Sequence, residues 1–386
     1  MNLRTRTSVF APLVPAVIAA LLLAPVLSGC RRSTAETRPP SAVLPETIRL
    51  IDTQEGWGFT RSAVLHTTDG GATWYDVTPK DVRTKPPAPS GKPLAGEGPL
   101  IAGAEFLDSE HAWLAVANEG RCRAVYRTAD GGKSWGQASI DLPSVGVQIQ
   151  FLDADRGWIM VHEGVAAGSE EVAILRSVDG GASWTVINAG QVNGAPVPGS
   201  LPFGGDKTGF AFSDARHGWV TGYQPVEGRA FLYVTDDGGV TFRPADLALP
   251  RAYARSWVST WPPVFLSATD GLLPVVFGAP GQPTVFYRTH DGGKTWEPGA
   301  ALISPTNDRF VWSFADVKHG FATDGGRLYA TADGGATWAE VRTEESLAGL
   351  RQLQFVSDQV GWAVGDGRLI KTVDGGQTWG PPKPGR

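Results

Sequence analysis

The chain has 386 residues, 42% hydrophobic and 19% charged, with a net charge of −5. This mildly acidic balance lacks the basic field of a nucleic-acid binder, and two cysteines cannot supply a disulfide framework. Fourteen tryptophans and 49 glycines beside two methionines argue against a helical bundle and for many short strands joined by tight turns.

The N-terminus reads as a segment separate from the fold. Arg4 and Arg6 precede an apolar run from about Val9 to Leu27, and small residues follow. A basic start, an apolar core and small residues before a cleavage point are the pattern of an export signal. Leu27-Ser28-Gly29-Cys30 resembles a bacterial lipobox. That resemblance implies a signal peptide over 1–29 and a lipidated Cys30 at the start of the mature chain. The run is nearly long enough to span a bilayer, but Pro12, Pro15 and Pro25 weigh against a membrane helix. Losing the two leader arginines takes the net charge from −5 to −7. With Cys30 lipidated, Cys122 is the only free cysteine, expected as a small buried strand residue, and stability must come from packing. Residues 30–45 are polar and proline-rich and read as a tether.

From Glu46 to Arg386 two motifs alternate. The first is roughly F-x-D-x-x-x-G-W, as at Phe151–Trp158 and Phe212–Trp219. The second is S/T-x-D-G-G-x-S/T-W, first seen at Thr67–Trp74. Its seven aspartates are Asp69, Asp130, Asp179, Asp237, Asp291, Asp333 and Asp374. They recur at the spacing of propeller blades, about 40–60 residues. Each unit reads as four strands. The first ends at the motif phenylalanine, and the second starts at Gly-Trp. The third enters the Asp-Gly-Gly turn, and the fourth leaves it. The expected fold is therefore all-β, a seven-bladed β-propeller of four-stranded antiparallel blades over 46–386. Pro381 and Pro382 soon follow the last motif, so the final outer strand is either stunted or flanked by residues 36–44.

The repeated turn is expected to be structural. An aspartate there can accept backbone N–H groups, and the glycines supply angles that a Cβ penalises. One carboxylate per turn is poor for calcium, which takes six to eight oxygens. No metal and no cofactor are expected. These residues resemble the Asp-box, or BNR repeat, which occurs in sialidases, xyloglucan-cleaving enzymes, sortilin-like receptors and photosystem II assembly factors. With the lipobox and the F-x-D-x-x-x-G-W motif, the chain looks most like the photosystem II assembly-factor family. That resemblance implies a non-enzymatic assembly factor outside the cytoplasm that binds a membrane protein.

Strand order puts first–second and third–fourth turns on one face. The longer second–third and inter-repeat connections fall on the other, at 80–99, 162–171, 189–208, 222–229, 243–263 and 275–283. Irregular loops on a rigid scaffold are where binding concentrates. Within them Arg251, Tyr253, Arg255, Trp257 and Trp261 form the candidate partner site, since aromatics and arginine are enriched at hot spots. The alternative is that both tryptophans cap the core beneath their own loop. On the opposite face His111, Arg156, His217 and His319 could form a partial basic ring, or be turn residues in solvent. The loop acids Glu97, Glu163, Glu170, Glu171, Asp206, Glu227 and Asp246 read as solvated, with no pair set for glycoside chemistry. The expected function is a lipid-anchored, extracytoplasmic, monomeric binder of a protein or peptide, without nucleic acid. The alternative is a glycan-binding or glycoside-cleaving propeller.

Overall fold

The computed structural model describes residues 39–82, 99–166, 168–189, 191–192, 195–196, 198–306 and 308–384. The leader, Cys30, residues 31–38 and Glu97 lie outside them. The described chain is all-β apart from a three-residue 3-10 turn at Arg251–Tyr253. Among the described residues no helix is long and apolar enough to cross a membrane.

Each repeat folds into an antiparallel sheet whose strands follow chain order. In repeat 3 these are Gly146–Phe151, Gly157–Ala166, Ser169–Ser177 and Thr185–Ala189. Repeats 1, 2 and 6 are four-stranded in the same way. Repeats 4 and 5 are joined in one nine-stranded sheet through Val258–Thr260. Repeat 7 keeps three strands, with a single bridge from Lys371 to Gly380 where a fourth would run. The last outer strand is thus stunted. Residues 36–38 lie outside the described part, and the segment that follows does not flank repeat 7: Ser41 N–H donates to Trp74 C=O at 2.7 Å, along repeat 1.

The two motifs are two halves of one packing device. The Gly-Trp tryptophan lies buried against the next repeat, stacked on its motif phenylalanine. Trp113 meets Phe151 at 3.6 Å between ring centroids and Trp158 meets Phe212 at 4.1 Å. Such stacking is worth about 0.5–1.5 kcal/mol beyond area burial. In three of these tryptophans the indole N–H then reaches the next repeat's Asp-box, whereas Trp57 donates to Asp108 C=O in the first–second turn of the next repeat. Trp113 donates to Gly180 C=O, Trp158 to Gly238 C=O and Trp362 to Gly70 C=O, at 2.8–3.0 Å. Glycine precedes the tryptophan because the phenylalanine covers it: a Cβ on Gly157 would sit 2.6 Å from the Phe151 ring.

Within the box, hydrogen bonds close the turn on itself. Asp179 accepts from Ser177 Oγ, Ser183 N and Ser183 Oγ at 2.6–2.9 Å, and Gly181 N donates to Ser177 Oγ. Gly180 and Gly181 have φ of 69° and 82°, which favours glycine at both. The first box glycine also ties the turn to its own repeat. In all seven boxes its N–H donates to a carbonyl of the first–second turn, from Gly70 to Gln54 through Gly375 to Gln359.

First strands meet side by side, and glutamines join two of the seams. Gln150 accepts from Phe212 N and donates to Phe212 C=O, while Gln148 accepts from Phe210 N and donates to Thr208 C=O. The same Gln-x-Gln-Phe sequence recurs at Gln352–Phe355. There Gln352 brackets Ile48 and Gln354 brackets Leu50, all four bonds at 2.7–2.8 Å. Trp362 and Val364 share a buried cluster with Ile48, Leu50 and Trp74. The last repeat is therefore sealed to the first. At the equivalent position of repeat 2 stands Glu105. Burial pushes its carboxyl up to about 7, against the pull of Arg49.

Two expected loops are strand. Residues 162–171 belong mostly to a long hairpin, because Gly157–Ala166 and Ser169–Ser177 pair almost to the turn. Within 243–263, Val258–Thr260 is the start of repeat 5's first strand, which resumes at Val264–Phe265. Trp261 N–H donates to Pro274 C=O of the same sheet. Trp261 thus belongs to the repeating framework, not outside it. Pro262 and Pro263, which have no N–H, interrupt the ladder and hide the strand from a pattern reading. Cys122 is buried in a strand of repeat 2, and burial pushes its thiol up to about 11.

Candidate functional site

The first strand of repeat 5 and its neighbours frame a groove of about 770 Å³ on the side of the second–third and inter-repeat connections. Trp257, Trp261 and Tyr223 supply its aromatic surface, and Thr208, Ser259, Gln282 and Arg309 its polar side chains. Tyr223 ends the second strand of repeat 4. Arg309 comes from the connection into repeat 6.

Trp257 is 48% exposed yet held in place. Its ring stacks on Tyr223 at 5.8 Å, and its indole N–H donates to Glu227 Oε1 at 3.2 Å. Its carbonyl accepts from Gly278 N at 2.8 Å. Of the five residues expected here, only Trp257 and Trp261 line the groove. Tyr253 turns to the core and stacks on Phe277 at 4.7 Å. Arg251 and Arg255 are exposed outside the lining. Sequence reasoning missed Tyr223, Gln282 and Arg309. Tyr223 could have been found by noting which aromatic closes the second strand of repeat 4.

Beside the groove lies a buried ionic cluster in which Glu170, expected in solvent, takes part. Glu170 and Lys207 are each 6% exposed. The Glu170 carboxylate holds His162 Nδ1 at 2.7 Å and accepts Lys207 N–H. Lys207 Nζ donates to the carbonyls of Glu170, Pro202 and Gly205 at 2.6–3.0 Å. Burial lowers this ammonium to about 8, while the Glu170 and Asp206 carboxylates pull it up. Burial also works against the Glu170 carboxylate, but the bonds from His162 and Lys207 hold it below its usual range. The cluster fastens the 202–205 segment to the hairpin of repeat 3.

On the opposite face the four basic residues of the expected ring are each tied to the aspartate of their own turn. His111 pairs with Asp108 at 3.0 Å, His217 with Asp214 at 2.7 Å and His319 with Asp316 at 2.8 Å. Arg156 Nε donates to Asp153 at 2.8 Å. They brace the F-x-D turns and do not converge. The seven Asp-box carboxylates are likewise used by their own turns. Hydroxyl bonds, followed by backbone N–H bonds, hold Asp179, Asp291 and Asp333 at about 2. Among the described residues no three His, Cys, Asp or Glu side chains group as metal ligands would.

Comparison with known proteins agrees with this architecture. A family model described as photosynthesis system II assembly factor YCF48 matches residues 200–354, which include most of the groove. No curated protein matches the chain. Among solved structures, YCF48 bound to D1 peptide is 20% identical, with a TM-score of 0.54, over 87% of this chain and 93% of that one. The GH74 enzyme of Niastella koreensis is 13% identical, with a TM-score of 0.57, over 87% of this chain. The GH74 xyloglucanase of Xanthomonas campestris is 14% identical, with a TM-score of 0.56, also over 87%. The chain spans about half the length of these two enzymes, 53% and 54%. At such identities the likeness is one of fold. With its repeated motifs and sheet order, the chain is an Asp-box (BNR) β-propeller that resembles the photosystem II assembly-factor family.

Proposed function

We propose that this chain is a seven-bladed, non-catalytic propeller that binds a protein or peptide segment in the groove over repeats 4 and 5. In this reading Cys30 carries a lipid outside the cytoplasm, and the monomeric propeller assists assembly or stability of a partner at the membrane surface. The observation that carries it is the half-exposed Trp257, fixed at the mouth of a groove with Tyr223, Trp261 and Arg309. Burying such a surface is favourable because its ordering cost is already met. The family match over 200–354 and the likeness to a propeller solved with a D1 peptide support a peptide as the ligand. Among the described residues, those lining the groove include no Asp or Glu, whereas glycoside cleavage takes two carboxylates across the bond.

The test is binding of a fluorescein-labelled D1 peptide by anisotropy, with crosslinking and pull-down from membranes of the source cells. The expected result is binding that W257A/W261A/R309A weakens at least tenfold. Unchanged binding by the triple variant would remove the groove from consideration. A glycan-array signal without peptide binding would move the protein to the carbohydrate-recognising class. Labelled palmitate should enter the wild-type chain and not C30S.

A further inference from the structure

We infer that Trp257 is a preset shelf for one planar side chain, proline or aromatic, of an extended peptide, and that Glu227 is the positioning residue that sets it. This rests on the peptide-binding reading and names what the groove recognises.

An exposed tryptophan on a loop ordinarily samples several rotamers, and ordering it opposes binding. Here the indole is constrained on two sides. Tyr223 covers one face at 5.8 Å, and Glu227 Oε1 accepts from the indole edge at 3.2 Å. With its N–H already used, the indole offers a ligand its remaining apolar face. The backbone beneath is fixed from both neighbouring repeats. Gly278 N donates to Trp257 C=O at 2.8 Å, and Gly228 N donates to Ser256 C=O at 2.9 Å. Glu227 comes within reach because Gly228 has a φ of 69° and lies against Ala254, whose carbonyl would be 2.5 Å from any Cβ there. The Glu-Gly dipeptide of the 224–229 loop is thus part of the binding surface without lining it.

The chemistry of the groove selects the ligand class. Apolar faces of Trp257, Trp261 and Pro280 stand beside Ser259, Gln282 and Arg309. Aromatic grooves of this kind take pre-extended proline-bearing segments, whose backbone is free of internal hydrogen bonds. Ser259 and Gln282 can serve that backbone, and the indole face takes a prolyl or aromatic ring. Thr208 also lines the groove, but its hydroxyl already donates to Thr260 C=O at 2.6 Å, which leaves the hydroxyls of a sugar few partners.

Two measurements test the inference separately from the reading it rests on. In the first, the chain is labelled with 5-fluorotryptophan, and the Trp257 resonance is assigned by its loss in W257F. E227A should shift and broaden that resonance, and E227Q, which keeps an acceptor oxygen, should leave it sharp. In the second, an alanine scan of a D1 peptide and a peptide array are read by anisotropy. E227A should weaken binding about fivefold, roughly one side-chain hydrogen bond. E227Q should stay within twofold, and E227A should cost nothing further in a W257A background. The residue most sensitive to the scan should be proline or aromatic. If W257A weakens binding while E227A does not, or if the sensitive residue is charged or aliphatic, the inference fails and the groove reading stands. A wild-type chain that binds neither the peptide nor the array refutes both the groove reading and the shelf's ligand.

Discussion

Removing Gln352 and Gln354 together should open the ring at one place. This seam joins the first and last repeats, and among the described residues no chain connection crosses it. Gln354 is 8% exposed and its amide serves both polar groups of Leu50, itself 1% exposed. In Q354A the Leu50 N–H and C=O lose their partners in a buried site. At about 1–3 kcal/mol for each such group, and with water reaching part of the seam, the loss is about 2–4 kcal/mol. Gln352 is less buried and adds about 1–2 kcal/mol. The double variant thus loses about 3–6 kcal/mol, a large share of the 5–15 kcal/mol that holds ordinary domains together. Urea unfolding followed by tryptophan emission measures the total. Hydrogen exchange locates it, because amides at Ile48 and Leu50 should exchange at least a hundredfold faster. Q148A/Q150A removes the equivalent bonds between repeats 3 and 4, which the chain still connects. Its exchange should accelerate at Phe210 and Phe212, with little change at Leu50. If the Gln352/Gln354 variant keeps its exchange rate at Leu50 within threefold of wild type, side-chain amides are not what closes the ring.

Other consequences are open to measurement. Glu105 has its carboxyl raised to about 7, so the folded chain holds a proton there that the unfolded chain releases. Its contribution to stability is fullest below about pH 4 and is lost as pH rises through 7. E105Q should flatten that dependence and raise the urea midpoint at pH 8 relative to pH 5; an unchanged difference would count against a buried acid. Asp179, Asp291 and Asp333 are held at about 2, so their stabilisation is complete above about pH 4 and fades as pH falls toward 2. D179A should therefore lower the thermal midpoint at pH 7 and lose its difference from wild type near pH 2. K207M should cost about 3–5 kcal/mol in urea, because it leaves Glu170 and a set of backbone carbonyls without their cation. A loss below 1 kcal/mol would show that the 202–205 segment is held by other contacts.

Much of the architecture is legible in the sequence because it is local and repeated. Asp179, Gly180 and Ser183 satisfy one another within a few residues, so a short motif records the whole turn. The Phe and Gly-Trp positions are readable for a related reason, since each repeat must match the next. The seams are harder. Gln354 and Leu50 are 304 residues apart, and nothing local marks a glutamine as the partner of a distant backbone. Trp261 was obscured by two prolines inside its own strand. Glu170 reads as solvated in the sequence because its partners, His162 and the Lys207 amide, come from different repeats and meet only after folding. The groove was partly legible: exposed aromatics in an irregular stretch led to Trp257. Arg309 could not be found that way, since a lone arginine in a connection carries no pattern.

The Asp-box also bears on chemical ageing. Among aspartyl dipeptides, aspartyl-glycine is the most given to succinimide closure: the glycine amide nitrogen attacks the side-chain carboxyl, water leaves, and hydrolysis of the ring yields isoaspartate. This chain carries that dipeptide in all seven boxes. In each, the carboxylate is bound by its own turn, and the amide nitrogen is committed to a carbonyl of the first–second turn. Both reacting groups are held while a repeat stays folded and released when it opens. Isoaspartate at a given box therefore becomes a cumulative record of how often that repeat has unfolded.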